Sequence, residues 1–380
     1  MDPSDESSVT ARHKTRGFCY AVGGPQIRWL PCQFQECFPI TTFVSPQEFW
    51  RLSQSLPVLD VRSPGEFRQG HLERAVSLPL FTDEQRAEIG TAYKKSGRQL
   101  AVIKGLDFVG ARLSDLVEQA IGLANASEVL VHCWRGGMRS QSLAQILNLA
   151  ELRPHVLDGG YKSFRKYARS FFERPFQLHV VSGLTGAGKT KVLQLLEQAG
   201  EQVIDLERLA NHRGSAFGGI GQGPQPTTEQ FENDLFVVLD RIDLSRPVWI
   251  EDEGNRIGSV VVPSAIYERL RNSPAVCIEC SPQQRLENLL ADYGGLPAEQ
   301  LIHAIGKISK RLDGPLAKQA IAAIEANDIA AAIEISLAYY DKTYRAAMVK
   351  MPRQTTVPVD VESLTDEQVV AKLSGIAQGR

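Results

Sequence analysis

Long apolar runs are missing from this chain. No stretch approaches the roughly 18–20 uninterrupted apolar residues of a membrane helix, and the first residues carry no apolar leader core. The expectation is a cytoplasmic protein with no membrane partner. Cysteine is scarce: six in 380 residues, too scattered for a disulfide framework. An excess of one charge is also lacking. Forty-two Lys and Arg against 44 Asp and Glu leave a formal net charge of −2. That excludes non-specific coating of nucleic acid by bulk charge, although phosphate contacts need only a few clustered cations. Internal repeats and low-complexity tracts are absent, so no repeat array is expected.

What remains is an ordinary globular composition, 43% apolar and 23% charged, in a chain long enough for two domains. Residues 1–38 show no periodicity and read as a poorly ordered extension or an over-long translation start. Their Cys19, Cys32 and Cys37 with His13 match no metal-ligand spacing, so no structural metal is expected. From residue 39 strands alternate with helices. Ser45-Pro46 with Glu48 predicts a capped helix; PVLDVR, AVSLPL, EVLVHC and HVLDGG predict strands. Residues 161–175 form a basic-aromatic helical linker. A second series, FQLHVVSG, EQVIDLE, RPVWIEDE and AVCIECS, follows, and then mostly helix, including an acidic helical tail over 360–373. Both series imply parallel sheets covered on two faces: one domain over 39–160 and another over 176–380.

The sharpest chemical signal of the first domain is the run from His132 to Ser140, HCWRGGMRS. A strand delivers Cys133 to its carboxyl end. Gly136 and Gly137 let successive N–H groups point inward as an anion nest, and a helix N-terminus follows. Arg135 and Arg139 add cations, Arg139 with a planar fork of donors. The pattern suits a nucleophilic sulfur meeting an oxyanion. The spacing His-Cys-x5-Arg is similar to Cys-dependent phosphatases as well as to sulfurtransferases, and the loop alone does not choose between them. Asp60 and Arg62, in LDVRSPGEF, read as structural.

The second domain carries Gly183, Gly186, Gly188, Lys189 and Thr190 in GLTGAGKT, a full G-x-x-x-x-G-K-[ST] match between a strand and a helix. Its amides suit a diphosphate, Lys189 the terminal phosphates and Thr190 a Mg²⁺ ion. The ligand is left open, since no adenine or guanine signature accompanies the loop. Asp205 and the Glu251-Asp252-Glu253 group offer acidic partners at strand ends, with Asp252 and Glu253 favoured. The Gly-rich segment with His212, Arg213 and Ser215 reads as a lid or a substrate-contact loop. Lys162 and Arg165, with Lys166, Arg169 and Arg174 among interleaved aromatics, read either as an RNA contact or as an amphipathic inter-domain helix with its rings packed inward. Lys307, Lys310 and Arg311 form a second basic cluster. Cys277 and Cys280, a lone CxxC in a strand, read as packing residues.

In order along the chain, LDVRSPGEF, CWRGGMRS, DGGYKSFR, GLTGAGKT, DLERLANHRGSAFG, EDEGNRIG and ISKRLDG resemble the tRNA 2-selenouridine synthase family over about residues 40–350. The resemblance implies a rhodanese-like domain joined to a P-loop NTPase-like α/β domain with a helical C-terminal part. It implies a transferase that first alkylates wobble 2-thiouridine on sulfur with geranyl diphosphate and then replaces the S-geranyl group with selenium from selenophosphate. Cys133 would carry the selenium, Arg135, Gly136, Gly137 and Arg139 would hold the selenophosphate oxyanion, and the phosphate loop would grip the diphosphate. No tightly bound cofactor is expected beyond Mg²⁺ with the diphosphate. The implied partners are tRNAs for Lys, Glu and Gln and an enzyme supplying selenophosphate, the chain itself acting as a monomer. A Cys-dependent phosphatase or sulfurtransferase with an accessory nucleotide-binding domain is the alternative.

Overall fold

The computed structural model describes residues 41–215, 217–350 and 355–379, with residues 347–350 described by backbone alone. The N-terminal extension with Cys19, Cys32 and Cys37 lies outside the described residues.

The first sheet holds β1 (Thr42–Val44), β2 (Val58–Asp60), β3 (Ala75–Ser77), β4 (Glu128–His132) and β5 (Arg153–Leu157) in the order β1-β5-β4-β2-β3, every pair parallel. Val58, Leu59, Val129, Leu130 and Val131 are buried, as expected for strands covered on both faces. Ser45 Oγ caps the helix Pro46–Ser53 by accepting from the Glu48 amide at 3.2 Å. Three helices, Asp83–Ser96, Arg98–Gly110 and Leu113–Leu123, intervene between β3 and β4. No strong pattern announces the first of them, because none of its residues is buried.

The second sheet holds β6 (Leu178–Ser182), β7 (Gln202–Ile204), β8 (Val248–Glu251), β11 (Ala275–Glu279) and β12 (Thr356–Asp360) in the order β12-β11-β6-β8-β7, again all parallel. A small antiparallel pair, β9 (Arg256–Ile257) and β10 (Val260–Val261), lies outside it. The acidic tail divides: residues through Asp360 pair with β11 as an edge strand, and the helix starts only at Asp366. Four helices, Pro282–Tyr293, Ala298–Leu312, Gly314–Glu325 and Ile329–Lys350, gather a separate apolar cluster around Leu301, Ile305, Ile308 and Ile324.

The helix Gly160–Ser170 and the turn Phe171–Glu173 join the two sheets. Tyr161, Phe164, Phe171 and Phe172 are buried, and Phe236 of the helix Thr228–Asp240 meets Trp50, Phe164 and Phe171 edge-on at 4.8–5.5 Å between ring centres. Of the two readings of this segment, the inward-packed helix is the one observed. One apolar core therefore runs from Val44 and Phe49 in the first domain to Phe236 and Val248 in the second. Each such ring contributes roughly 1.5–3 kcal/mol of burial, so the domains are fastened rather than tethered.

Candidate active site: two strand-end loops

Cys133 follows β4 and is buried. Its Sγ lies 3.2 Å from Ser140 Oγ. Among the described residues, the N–H groups of Trp134, Arg135, Gly136 and Gly137 donate to no protein acceptor, which leaves them available to an anion. The loop is clamped from behind. Tyr161 N donates to Cys133 O at 2.8 Å and Lys162 N to Trp134 O at 3.0 Å. Gly136, at φ +63°, sits so close that a Cβ would lie 2.7 Å from Leu157 O and 2.9 Å from Gly160 N. Its glycine is required by packing, whereas a Cβ at Gly137 would meet open space.

Beneath the loop lies a buried polar floor. Arg62 donates to Asp60 through Nε at 2.9 Å and Nη2 at 2.5 Å and to Gly70 O at 2.7 Å, and its guanidinium covers the Tyr161 ring at 3.7 Å. Burial opposes ionisation of Asp60, but the neighbouring positive groups hold its carboxyl below the usual range. Burial lowers His132 to about 4, so the ring is neutral. Asp60 and Arg62, read from sequence as structural, are fully buried and paired with each other. Arg139 is not free: Nη1 donates to Glu66 Oε2 at 2.6 Å and Nη2 to Oε1 at 3.3 Å. Burial alone would raise Glu66, yet Arg139 and the Ser63 amide bring it below the ordinary carboxylate value. Arg135 is exposed.

The second loop follows β6. Gly183, Gly186 and Gly188 all have positive φ, at 147°, 81° and 90°. Lys189 Nζ donates to Gly183 O at 3.0 Å. The helical C-terminal part braces the loop: Tyr344 Oη accepts from Gly183 N at 3.0 Å, Arg285 Nε donates to Thr185 O at 2.9 Å, and Asn288 Nδ2 to Gly186 O at 2.8 Å. Beside it stand four carboxyls, Asp205, Glu207, Glu251 and Glu253. Glu251 accepts from Glu207 N at 2.7 Å, and Thr190 Oγ1 donates to Glu207 Oε2 at 3.4 Å. Burial, and then the Glu253 charge, push Glu207 up to about 8. Burial raises the other three as well. Asp252 pairs with Arg271 at 3.3 Å and accepts from Tyr344, the same hydroxyl that meets Gly183 N, while Glu251 contacts the Glu207 amide and Glu253 raises the Glu207 carboxyl. Among the described residues no group of three or more His, Cys, Asp or Glu converges to hold a metal.

The family models match in two pieces, a Rhodanese-like domain over residues 45–167 and the "tRNA 2-selenouridine synthase AAA domain" over residues 176–369. Three proteins named tRNA 2-selenouridine synthase are similar: one from Nitrosomonas europaea, 38% identical over 62% of this chain and 63% of its own length; one from Pseudomonas fluorescens, 36% over 68% and 76%; and one from Bdellovibrio bacteriovorus, 38% over 66% and 68%. This chain belongs to the tRNA 2-selenouridine synthase family. Its match thus spans a little under two thirds of the Nitrosomonas relative. The fold is the one the family resemblance implies, a rhodanese-like domain followed by a P-loop α/β domain with a helical C-terminal part.

In this family member the other sequence-predicted residues are placed as follows. Arg213 reaches across to Asp292 at 3.4 Å, Ser215 Oγ accepts from Phe217 N at 3.1 Å, and His212 is half-buried, so the Gly-rich segment is tied to the helix Pro282–Tyr293. Lys162 is exposed. Arg165 is engaged between domains, donating to Asn233 Oδ1 at 2.7 Å and pairing with Glu232. That contact removes it from the surface on which an RNA reading depends. Lys307 and Lys310 are on the helix Ala298–Leu312. Sequence reasoning missed Glu66, Glu207 and Tyr344. The first was visible only within LDVRSPGEF, the second only within DLERLANHRGSAFG, and nothing local marked the third.

Proposed function

We propose that the chain converts wobble 2-thiouridine of tRNA to 2-selenouridine in two steps. The phosphate loop, with Gly183, Gly186, Gly188, Lys189 and Thr190, binds geranyl diphosphate for S-alkylation. The Cys133 loop then holds selenophosphate; its selenium attacks C2 of the base and expels geranyl thiolate, and Cys133 takes the phosphoryl group from the selenium and loses it to water as phosphate, so that selenium stays at the selenide level. The observation that carries this reading is the conjunction in one family member of two strand-end loops: a cysteine followed by four residues, Trp134 to Gly137, whose amides donate to no protein acceptor among the described residues, and a phosphate loop whose lysine rests on its own backbone. Gly137 and the exposed Arg135 face the incoming oxyanion, and Glu66 holds Arg139 beside it. Alkylation makes sulfur a better leaving group, which gives the two sites a reason to share a chain.

Thr190 and Glu207 fit a hydrated Mg²⁺ arriving with the diphosphate, since such an ion needs few protein ligands. It would offset diphosphate charge. No tightly bound cofactor is part of this reading. The tRNA partners are the Lys, Glu and Gln acceptors, the selenium donor comes from a selenophosphate-supplying enzyme, and the protein works as a cytoplasmic monomer. No helix among the described residues is long and apolar enough to cross a membrane.

The test is nucleoside mass spectrometry on 2-thiouridine tRNA incubated with geranyl diphosphate, with and without selenophosphate. Cys133→Ala should accumulate S-geranyl-2-thiouridine and make no 2-selenouridine; Lys189→Ala should make neither. Unchanged tRNA with the wild-type protein would refute the reading. Cys133-dependent hydrolysis of an aryl phosphate would then favour the phosphatase.

A further inference from the structure

The helix Gly160–Ser170 has two faces of different character. Tyr161, Phe164 and Ala168 are buried in the shared core. Lys162, Lys166 and Arg169, spaced four and then three residues apart, lie together on the other face and are exposed. The helix carries four cations and no acid, and no acid occurs between Asp158 and Glu173. From outside the helix, Glu232 pairs with Arg165 and lies 3.7 Å from Arg169; one carboxylate cannot neutralise two guanidiniums. Lys162 and Lys166 have no ion-pair partner among the described residues. In a chain of formal net charge −2, this is a local positive surface on a firmly held element. On the inner side, Asn233 Oδ1 accepts from Arg165 at 2.7 Å and Asn233 Nδ2 donates to Tyr161 Oη at 2.8 Å.

The position of this face selects its partner. Lys162 N donates to Trp134 O at 3.0 Å, so the row of cations begins at the Cys133 loop and leads away from it. At 1.5 Å of rise per residue, Lys162 to Arg169 spans about 10 Å. Selenophosphate is one small anion at the loop amides and cannot reach the far end of such a row. Cys133 is only 3% exposed. A nucleotide whose base enters beside it must leave its sugar and phosphates at the mouth. A row of exposed cations leading from that mouth therefore matches successive phosphates of one strand.

We propose that Lys162, Lys166 and Arg169 hold the tRNA phosphates on one side of the wobble nucleotide while its base is presented to the Cys133 loop. The proposal rests on reading the chain as acting on tRNA, and it adds the surface on which the RNA docks. Arg165, engaged by Asn233 and Glu232, takes no part.

Fluorescence anisotropy with a labelled 2-thiouridine tRNA, repeated over a salt series, tests it. The triple variant is Lys162→Gln, Lys166→Gln and Arg169→Gln; a double variant changes only the two lysines and leaves Glu232 its partners. The control, Lys94→Gln with Lys95→Gln and Arg98→Gln, removes the same charge from exposed positions on the helices between β3 and β4. Each lost phosphate contact should reduce the slope of log Kd against log salt by about 0.7–0.9. The triple variant is therefore expected to lose about 2 from the slope and to bind at least about tenfold more weakly at moderate salt. The control should bind as wild type. In selenation of S-geranyl-2-thiouridine tRNA, the triple variant should raise KM for tRNA by a similar factor and change kcat by less than about twofold. Wild-type affinity and slope in the triple variant would overturn the proposal, and so would an equal loss in the control, which would reveal only bulk charge. Competition by polyglutamate as strong as by unlabelled tRNA would overturn it in favour of an acidic protein partner. Modification of tRNA by wild type would still uphold the proposed function in each of those cases; tRNA bound through this face yet never modified would sink the function alone. Should the triple variant fail to fold, the double variant decides, with an expected slope loss of about 1.5.

Discussion

Replacing Glu66 by Gln isolates one charge beside the Cys133 loop. Besides a longer ion pair with the half-exposed Arg86 at 3.5 Å, Glu66 has two jobs in the structure. Its carboxylate accepts from Ser63 N at 3.0 Å, closing the first turn of the helix Pro64–Gln69, and it holds Arg139 through two hydrogen bonds. Gln serves in a capping box as Glu does, so the first job survives. The second changes: a doubly accepting anion becomes a neutral amide with one acceptor. Hydrogen bonds to charged groups are worth about 1.5–3 kcal/mol. The pair is partly exposed, 22% for Arg139 and 12% for Glu66, which keeps the estimate at the lower end, about 1.5–2 kcal/mol. Spent on orienting Arg139 toward the oxyanion, that is about a 10- to 30-fold loss in selenation kcat/KM. The assay is single-turnover conversion of purified S-geranyl-2-thiouridine tRNA with selenophosphate, read by mass spectrometry, beside the geranylation rate on 2-thiouridine tRNA. Geranylation should be unchanged. Selenation at the wild-type rate would refute the reasoning, and a faster rate would make Glu66 a competitor for Arg139 rather than its holder.

Asp60→Asn should cost about 3–5 kcal/mol by urea denaturation, because it leaves the fully buried Arg62 without its counter-charge; a loss under about 1 kcal/mol would show that Gly70 O and the Tyr161 ring suffice. Asn233→Ala should cost about 2–4 kcal/mol, since the buried Asn233 joins His71 O, Tyr161 Oη and Arg165 at 2.9, 2.8 and 2.7 Å. If the shared core couples the domains, wild type should unfold in one transition and this variant should be the first to show two. Glu207, raised in the folded state to about 8 from 4.5, adds stability that is complete below about pH 4.5 and lost as pH rises toward 8. Glu207→Gln should therefore be more stable than wild type by about 1–3 kcal/mol at pH 8, with the difference vanishing near pH 4.5. A pH-independent difference between the two would sink the carboxyl-cluster interpretation.

The chemistry-bearing loops were legible in the chain itself because each is a contiguous run whose residue types serve a local geometry. GLTGAGKT needs glycine where φ is positive, and the glycines at 183, 186 and 188 are found there. HCWRGGMRS places Cys133 at a strand end by the same local logic. The alternation of apolar strands and helices likewise gave two parallel sheets. Local pattern failed where burial was weak or distant. The helix Asp83–Ser96 buries nothing and so carries no stripe, and the rings of Tyr161, Phe164 and Phe171 had the same spacing whether they faced RNA or a neighbouring domain. Only the folded chain decided that, by supplying Phe236 and Trp50 as partners. It also decided the contents of both sites. Tyr344 reaches Gly183 across 161 residues, Arg139 finds Glu66 across 73, and Glu251 meets the Glu207 amide across 44. Parallel sheets bring strand ends from remote parts of a chain to one edge. Composition and spacing fix what each end carries, while strand order, settled by packing, fixes which ends become neighbours.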